Sequence, residues 1–523
     1  MPQHHDPLRL EDIDWPALLP FVHLFKSFRM AISPPKLMVA LVLVVVLYLF
    51  GVFLDAVFFG ARVDPQELSQ FAAMSVEQFD RWRQGRDEQV ADELAKATQW
   101  LATKEKAKID GTISQRIAQA KGAIDKHYAR EHAQLKQRAL EHEEFLRGEH
   151  MLRSNRRDRI AAVMRLKPQG IFEAALTFKL AAFERLVNSA SSLELGLGQL
   201  MSRPQKRRDT VVGALRDLLV VLPQWLYHMH RGFMIVWLLG ATALWSLLGG
   251  ALSRMSALHA ARDRRINAVE AVHYACGKWG WYFLSPLIPL MLVLLVGLVM
   301  ALGGLLFNLP FIVDVIGAIL FGLALVGGFI IALLLIGLVS GANMLYPAIS
   351  IEGTEAFDAI SRAYHYVFFK PWQLFFYTLV SLVYGAITYL FVGAVIFLSL
   401  TVTHKFVASG VFISAAQGVD NRFDALMALP QLGQLRYDID TSLLGSASGV
   451  VAAWLIRAWV MLLIGVLGAY AISFYFCANT WIYLLLRRTA DGAEFDDIYL
   501  EDSDNRADEQ VSDKVDPNPV ESS

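Results

Sequence analysis

Cysteine is almost absent: Cys276 and Cys477 are the only two in 523 residues, far apart and in no ligand-like spacing. That excludes a disulfide scaffold and a cysteine metal centre. Catalytic signatures are missing too. There is no His-Glu-x-x-His, no Walker A sequence and no Gly-x-Ser-x-Gly, and Gly445–Gly449 carries Ala447 where a nucleophile would stand. His127, His132, His142 and His150 lie five, ten and eight residues apart, whereas helical ligand pairs want three or four. They and His228-x-His230 read as solvated. The expectation is a chain without enzymatic activity, cofactor, metal or nucleic-acid partner.

Charge is also scarce where it matters. Only 19% of residues are charged, against 55% hydrophobic, and the mean hydropathy is +0.40. Uncharged runs extend over 37–54, 232–253, 279–313, 315–351, 371–404 and 458–486. Each can form a helix across about 30 Å of hydrocarbon, which takes roughly 18–20 residues. Continuous apolar runs indicate helices, because a barrel would show short alternating ones. No acid, base or histidine stands centrally in any run. Asp314 and Arg457 lie at outer edges and Glu352 at an inner edge, where each can reach the interface. A pump built on a buried carboxylate is therefore disfavoured.

The fold class is all-α: a polytopic transmembrane bundle of about six spans. The first run starts too late for a signal peptide and lacks a small-x-small cleavage site, so it reads as a retained anchor. Lys26, Arg29 and Lys36 precede it; Arg254, Arg262, Arg264, Arg265 and Lys278 follow the second run, and Arg487 and Arg488 the sixth. The positive-inside rule then places both termini in the cytoplasm. The expected organisation has a cytoplasmic segment 1–36 and spans at 37–60, 231–253, 283–305, 312–346, 373–402 and 451–486. An extracytoplasmic insert occupies 61–230, with an outer loop at 403–450. Cytoplasmic elbows lie at 254–282 and 347–372, and an acidic, disordered tail at 487–523. Within that tail, Phe495–Leu500 is expected either to dock on a cytoplasmic partner or to fold back on the basic 254–265 elbow, with charge complementarity favouring the fold-back.

The insert lacks proline between Ser75 and Lys167, and its glycines there are only 85, 111, 122 and 148. Ile109, Ile113, Ile117, Ala120, Ile124 and Tyr128 form one narrow apolar stripe. Asp92–Lys96, Glu143–Arg147 and Glu149–Arg153 are acid-before-base pairs at i,i+4. This pattern predicts a long helical hairpin or coiled coil without a globular core. Lys167-Pro168-Gln169-Gly170 stops it. A further helix carries Phe172, Leu176, Phe183, Leu186 and Val187, and a third, 209–222, ends at Pro223 with Trp225 and Tyr227 at the membrane surface.

Two elbows resemble each other. Glu270-Ala271-Val272-His273-Tyr274-Ala275 before Trp279, and Asp358-Ala359-Ile360-Ser361-Arg362-Ala363 before Trp372, share an acid-Ala-β-branched-x-x-Ala layout 88 residues apart. Two parallel repeats are expected, each a helix, an interfacial elbow helix and a returning helix. The elbow motif residues are Glu270, Ala271, Ala275, Trp279, Glu352, Gly353, Asp358, Ala359, Arg362, Pro371 and Trp372. Gly337 and Gly341 form a small-xxx-small pair suited to helix packing. Pro286 and Pro289 are expected to open span three and Pro347 to close span four. Asn343, Tyr384, Ser473 and Asn479 are candidates for interhelical hydrogen bonds or a polar cavity.

The stretch Pro347–Trp372, with Glu352-Gly353 and Asp358-Ala359-Ile360-Ser361-Arg362, resembles the signature of an uncharacterised bacterial, planctomycete-type family of polytopic membrane proteins. Tyr483–Leu500 resembles that family's C-terminal segment. The Pro-x-x-x-x-Glu and Ala-x-x-x-Ala layout is more distantly similar to the membrane domain associated with some glycerophosphodiester phosphodiesterases. The resemblance implies a fold and a membrane address and brings no catalytic residues. The expected function is a bacterial inner-membrane scaffold or assembly protein, embedded in the bilayer and forming homo-oligomers. It would bind a protein partner or a second copy through residues 75–167. The competing expectation is a channel or transporter with a path between the repeats.

Overall fold

In the computed structural model the described residues are 19–58, 62–101, 109, 111–137, 142–191, 210–305, 312–411, 423, 426–427 and 447–500. Helices follow one another almost without interruption. A 3₁₀ turn, Pro20–Phe25, leads into α1 (Lys26–Ala31) and α2 (Pro34–Val57). The insert supplies α3 (Glu67–Ala73), α4 (Val76–Gln84), α5 (Arg86–Ala97), α6 (Ile113–Gln137), α7 (His142–Met164), α8 (Ile171–Ser191), α9 (Val211–Arg216) and α10 (Leu222–Met229). Then come α11 (Arg231–Arg262), α12 (Ala268–Gly277), α13 (Trp279–Gly304) and α14 (Ile312–Glu352). The chain continues through α15 (Ala356–Phe369), α16 (Pro371–Ser409) and α17 (Ala447–Asp491). Among the described residues the extended pairing is a single bridge, Val63 with Gln169.

Six of these helices, α2, α11, α13, α14, α16 and α17, are long and apolar enough to cross a membrane. This is a multi-pass helical membrane protein. Their surfaces suit lipid: Leu294, Leu323 and Leu382 are each more than 60% exposed, which water would penalise and hydrocarbon does not. The helices outrun the expected spans. α11 continues past Ser253 to Arg262, α14 past Tyr346 to Glu352, and α17 to Asp491. Pro347 therefore lies inside α14, as Pro286 and Pro289 lie inside α13. The elbows shrink accordingly to α12 and α15.

Packing divides the chain into two compact units, one of residues 1–46, 241–391 and 466–523, the other of 47–240 and 392–465. In the first, residues 249–259, 344–351 and 476–486 are buried without a break. A helix buried on every side is the centre of a core. The first of these segments is rich in Ala, Ser and Gly, and close approach follows: the Phe476 ring lies against Gly249 and the Tyr282 ring against Gly250. On the elbows, Ala271 and Ala275, like Ala359 and Ala363, are buried, while Glu270 and Asp358 are exposed.

The second unit contains the insert, which has two apolar centres. Val90, Leu94 and Leu101 meet Ile117, Ala120, Ile124 and Tyr128 of α6, together with Val163 in α7 and Leu166 just after it. The expected stripe is buried, and α6 and α7 do form a hairpin, tied by Arg156–Asp125 at 2.7 Å. The expectation of no globular core is corrected: α5 adds a third side, so three short stripes close on each other. Lys96–Asp92 pairs at 2.6 Å. The side chains of His142, Glu143, Glu149, His150, Arg153 and Asp314 lie outside the described residues.

Leu54, Val63, Leu68, Phe71, Phe79, Ile171, Val221, Trp225 and Phe233 make the other centre. Trp225 is fully buried and donates to Glu67 Oε1 at 3.1 Å, so it is a core residue and not a surface aromatic. The helix also passes Pro223, because a π-turn at Asp217–Val221 widens the ladder before the residue that lacks a donor. Asp55 accepts the amides of Phe172 at 2.7 Å and Glu173 at 3.0 Å, capping α8 from 117 residues away. Asp55→Ala strands those amides and should destabilise this unit by about 1–2 kcal/mol; faster proteolysis after Lys167 is the readout.

His230, expected to be solvated, is half-buried beside Trp225, and its Nε2 is buried without a hydrogen bond. Burial, and then the Arg83 charge, push its pKa down to about 4. The unfolded chain takes up this proton first, so stability is complete above pH 6.5 and falls as pH drops toward 4. Burial pushes Glu67 up, so its contribution falls as pH rises above 4.5. The two slopes oppose. His230→Phe should abolish the acid-side loss in a pH series of thermal melts and leave the Glu67 slope in place.

Candidate functional site

The sequence places Arg254 one residue beyond an apolar run, in Gly-Gly-Ala-Leu-Ser-Arg-Met-Ser-Ala. The small residues around it let α11 continue into the core, and Arg254 is 1% exposed. Its Nη1 donates to Ser350 O at 2.8 Å and Tyr499 O at 2.9 Å, and the guanidinium stacks 4.3 Å from the Tyr274 ring centroid. Beside it the Tyr282 and Ser350 hydroxyls meet at 2.8 Å. One cation thus ties α11, α12, α14 and the chain after α17.

A second cluster surrounds Glu352, the last residue of α14. Its carboxylate pairs with Arg362 Nη2 at 2.8 Å and Arg487 Nε at 3.3 Å, and accepts from the Tyr483 hydroxyl. Its side chain is 6% exposed. The expected interfacial placement is corrected: three donors replace the water a carboxylate would otherwise need. Burial alone would lower the Arg362 pKa, but Glu352 and its neighbours raise it, so the cation is firmly charged. Tyr366 donates to Asp491; burial first, and that bond second, push its hydroxyl up, keeping it a donor.

The segment after α17 closes over these clusters. Gly492, at φ +70°, ends the helix in the left-handed conformation glycine allows. Phe495 then packs on His23 and Trp481, with Arg488 over its ring. Tyr499 N donates to Ile351 O at 2.7 Å. Its ring covers Gly353, where φ is +66° and a Cβ would overlap the ring. Lys278 lies over the same ring and donates to Gly353 O. The fold-back of 495–500 is therefore present, and 487–500 is ordered chain rather than disordered tail; 501–523 lie outside the described residues. Attraction between side-chain charges is only part of the cause. Arg254, Arg262 and Arg487 bind the carbonyls of Tyr499, Asp496 and Asp497.

Gly337 and Gly341 do form a packing groove, and its occupant is α15. The Tyr364 ring covers Gly337, its hydroxyl donating to Leu334 O at 2.7 Å, while Val367 and Ala363 stand where a Cβ on Gly341 would meet them. Glu270 pairs loosely with Arg264 at 3.6 Å. Trp279 is part-exposed and donates to Ala243 O at 3.1 Å; Pro371 and Trp372, which open α16, are exposed, Trp372 at 81%. Asn343 accepts from Tyr475, Tyr384 donates to Phe25 O and Ser473 to Ala31 O, all between helices.

The elbow residues thus converge through partners that sequence reasoning missed: Arg254, Tyr366, Tyr483, Arg487, Asp491 and Tyr499. The available signal was a row of Ser, Ala and Gly flanking a charge, which marks a packed helix more than a wet one. Chemically the arrangement is a set of fixed ion pairs and charge-assisted hydrogen bonds locking helix ends together. No family model, curated protein or solved structure matches this chain.

Proposed function

We propose that this protein is a scaffold of the bacterial inner membrane, with both termini cytoplasmic and residues 61–230 outside, presenting α5–α7 to a protein partner or a second copy. The observation that carries the reading is the insert's architecture. α5, α6 and α7 bury their apolar stripes on one another and leave a charge-covered body, with Val63 and Gln169 paired near its two chain ends. The charges on such a body can steer and orient a partner. The density of the elbow-end core and its interhelical hydrogen bonds support a static frame over a polar passage, the runner-up function. Shared burial across the 88-residue offset supports two parallel repeats.

Replacing residues 87–166 by a flexible Gly-Ser linker retains most of the second apolar centre, Trp82 included, and removes the proposed platform. Native purification in mild detergent, with mass measurement, should show loss of co-purifying protein or of the homo-oligomer while membrane insertion persists. An unchanged mass and partner profile would remove the proposal's support.

A further inference from the structure

Lys36 opens the first apolar helix only two residues after its start, and in sequence it reads as a snorkelling flank. In the structure it is 2% exposed. Its Nζ lies 3.1 Å from His259 Nδ1 and 3.7 Å from Cys477 Sγ, which Ser256 Oγ also approaches at 3.3 Å. An ammonium has only donors, so His259 Nδ1 is the acceptor and Nε2 carries the proton. That nitrogen faces Asp263 Oδ1 at 3.3 Å. The order of groups from the surface inward is therefore carboxylate, imidazole, ammonium, thiol.

The charges around this row do not balance. Arg265 and Arg29 act electrostatically on His259 together with Lys36, and Arg265 acts on Lys36 as well. Asp263 is the one carboxylate among the groups acting on His259, and its side chain is 83% exposed. Among the described residues Arg29 and Arg265 have neither an ion pair nor a hydrogen bond, and both are exposed. Three cations, one of them buried, thus act on one imidazole that, among the described residues, is faced by a single, well-solvated acid. Like charges near one another repel, and a site in which they persist favours a bound anion.

Location narrows the anion. Lys36 begins α2, and Arg265 follows the end of α11 by three residues, so the cluster stands where two apolar helices leave the hydrocarbon. Phe25 and Ile32, beside Lys26 and Arg29, are more than 40% exposed, as on a segment resting in the headgroup layer. Phosphate diesters are the anions concentrated at that depth, and basic pockets between membrane helices bind them. We propose that Arg29, Lys36 and Arg265, arranged around His259, bind a phosphate-bearing anion at the elbow end of the bundle. The exposed guanidinium groups take phosphate oxygens, and the buried ammonium adds charge from within the bundle. The inference stands apart from the partner-binding reading of the insert.

The test uses the full chain in a neutral detergent. Its unfolding temperature is measured in mixed micelles with phosphatidylglycerol, with phosphatidylcholine, and with inorganic phosphate at equal ionic strength. Phosphatidylglycerol should raise the midpoint by several degrees and phosphatidylcholine should not, and about 1 M salt should reduce the shift. Arg29→Gln with Arg265→Gln should cut the shift to less than half, and Arg265→Gln alone to an intermediate value. Lys370→Gln, a matched loss of charge at the same end, should keep it. If inorganic phosphate reproduces the shift, the ligand is the phosphate group itself; if it does not, the lipid is required. Full retention of the shift in the double variant would overturn the proposal, as would the failure of every phosphate-bearing probe to move the wild-type midpoint.

Discussion

Arg254→Met should lower the stability of the elbow-end core by about 3 kcal/mol, with an unfolding midpoint several degrees below wild type. Methionine fills much of the same volume, so the loss comes from polar groups. The carbonyls of Ser350 and Tyr499 lose their shared donor, and each stranded buried acceptor costs about 1–3 kcal/mol. The stacking on Tyr274 disappears as well, worth roughly 1–2 kcal/mol where desolvated. Against this stands the desolvation of one guanidinium, which the variant no longer bears, so the sum falls below the gross terms. Lysine should recover only part, because its ammonium lacks the flat guanidinium face that lies over the Tyr274 ring. The variant also makes a local statement: the Tyr499 amide, bonded to Ile351 O, should exchange its hydrogen much faster. Slow exchange there with a lowered midpoint would mean that Arg254 supports the helices and not the closing segment.

The sequence revealed the six long helices because hydrocarbon imposes a requirement that any run of about twenty apolar residues meets by itself. It revealed the insert's stripe for a similar reason, since helical periodicity is local. What it concealed was the fate of charges. Lys36, Arg254 and Glu352 look in sequence like markers of a water boundary, and all three are buried. Their partners come from elsewhere: Ser350 is 96 residues from Arg254, Tyr499 is 245, and Cys477 is 441 from Lys36. No window carries that information. The same limit explains the tail. Its acidity suggested attraction to the basic elbow, and the contact exists, yet backbone carbonyls supply much of it, and carbonyls are identical in every sequence. Gly337 and Gly341 were legible as a groove, but not their occupant, because small residues state that something comes close without naming it.

Glu352→Ala should be the more damaging change at the second cluster, by about 4 kcal/mol. Removing one member of a buried ion pair typically costs about 3–5 kcal/mol, because the remaining charge keeps its desolvation and loses its compensation. Here two cations and the Tyr483 hydroxyl are left facing an apolar methyl. The cost will not divide evenly. The Arg362 side chain is 42% exposed and can swing to water, so its coupling to Glu352 should be within about 1 kcal/mol, as for surface pairs. Arg487 is only 12% exposed, and its other partner, Asp497, is on the closing segment. A double-mutant cycle of Glu352→Gln with Arg487→Met should therefore show a coupling of about 2 kcal/mol, well above the cycle with Arg362→Met. Equal couplings in the two cycles would mean that solvent reaches the carboxylate despite its burial, and that the cluster is an exposed pair network and not the lock between α14, α15 and α17.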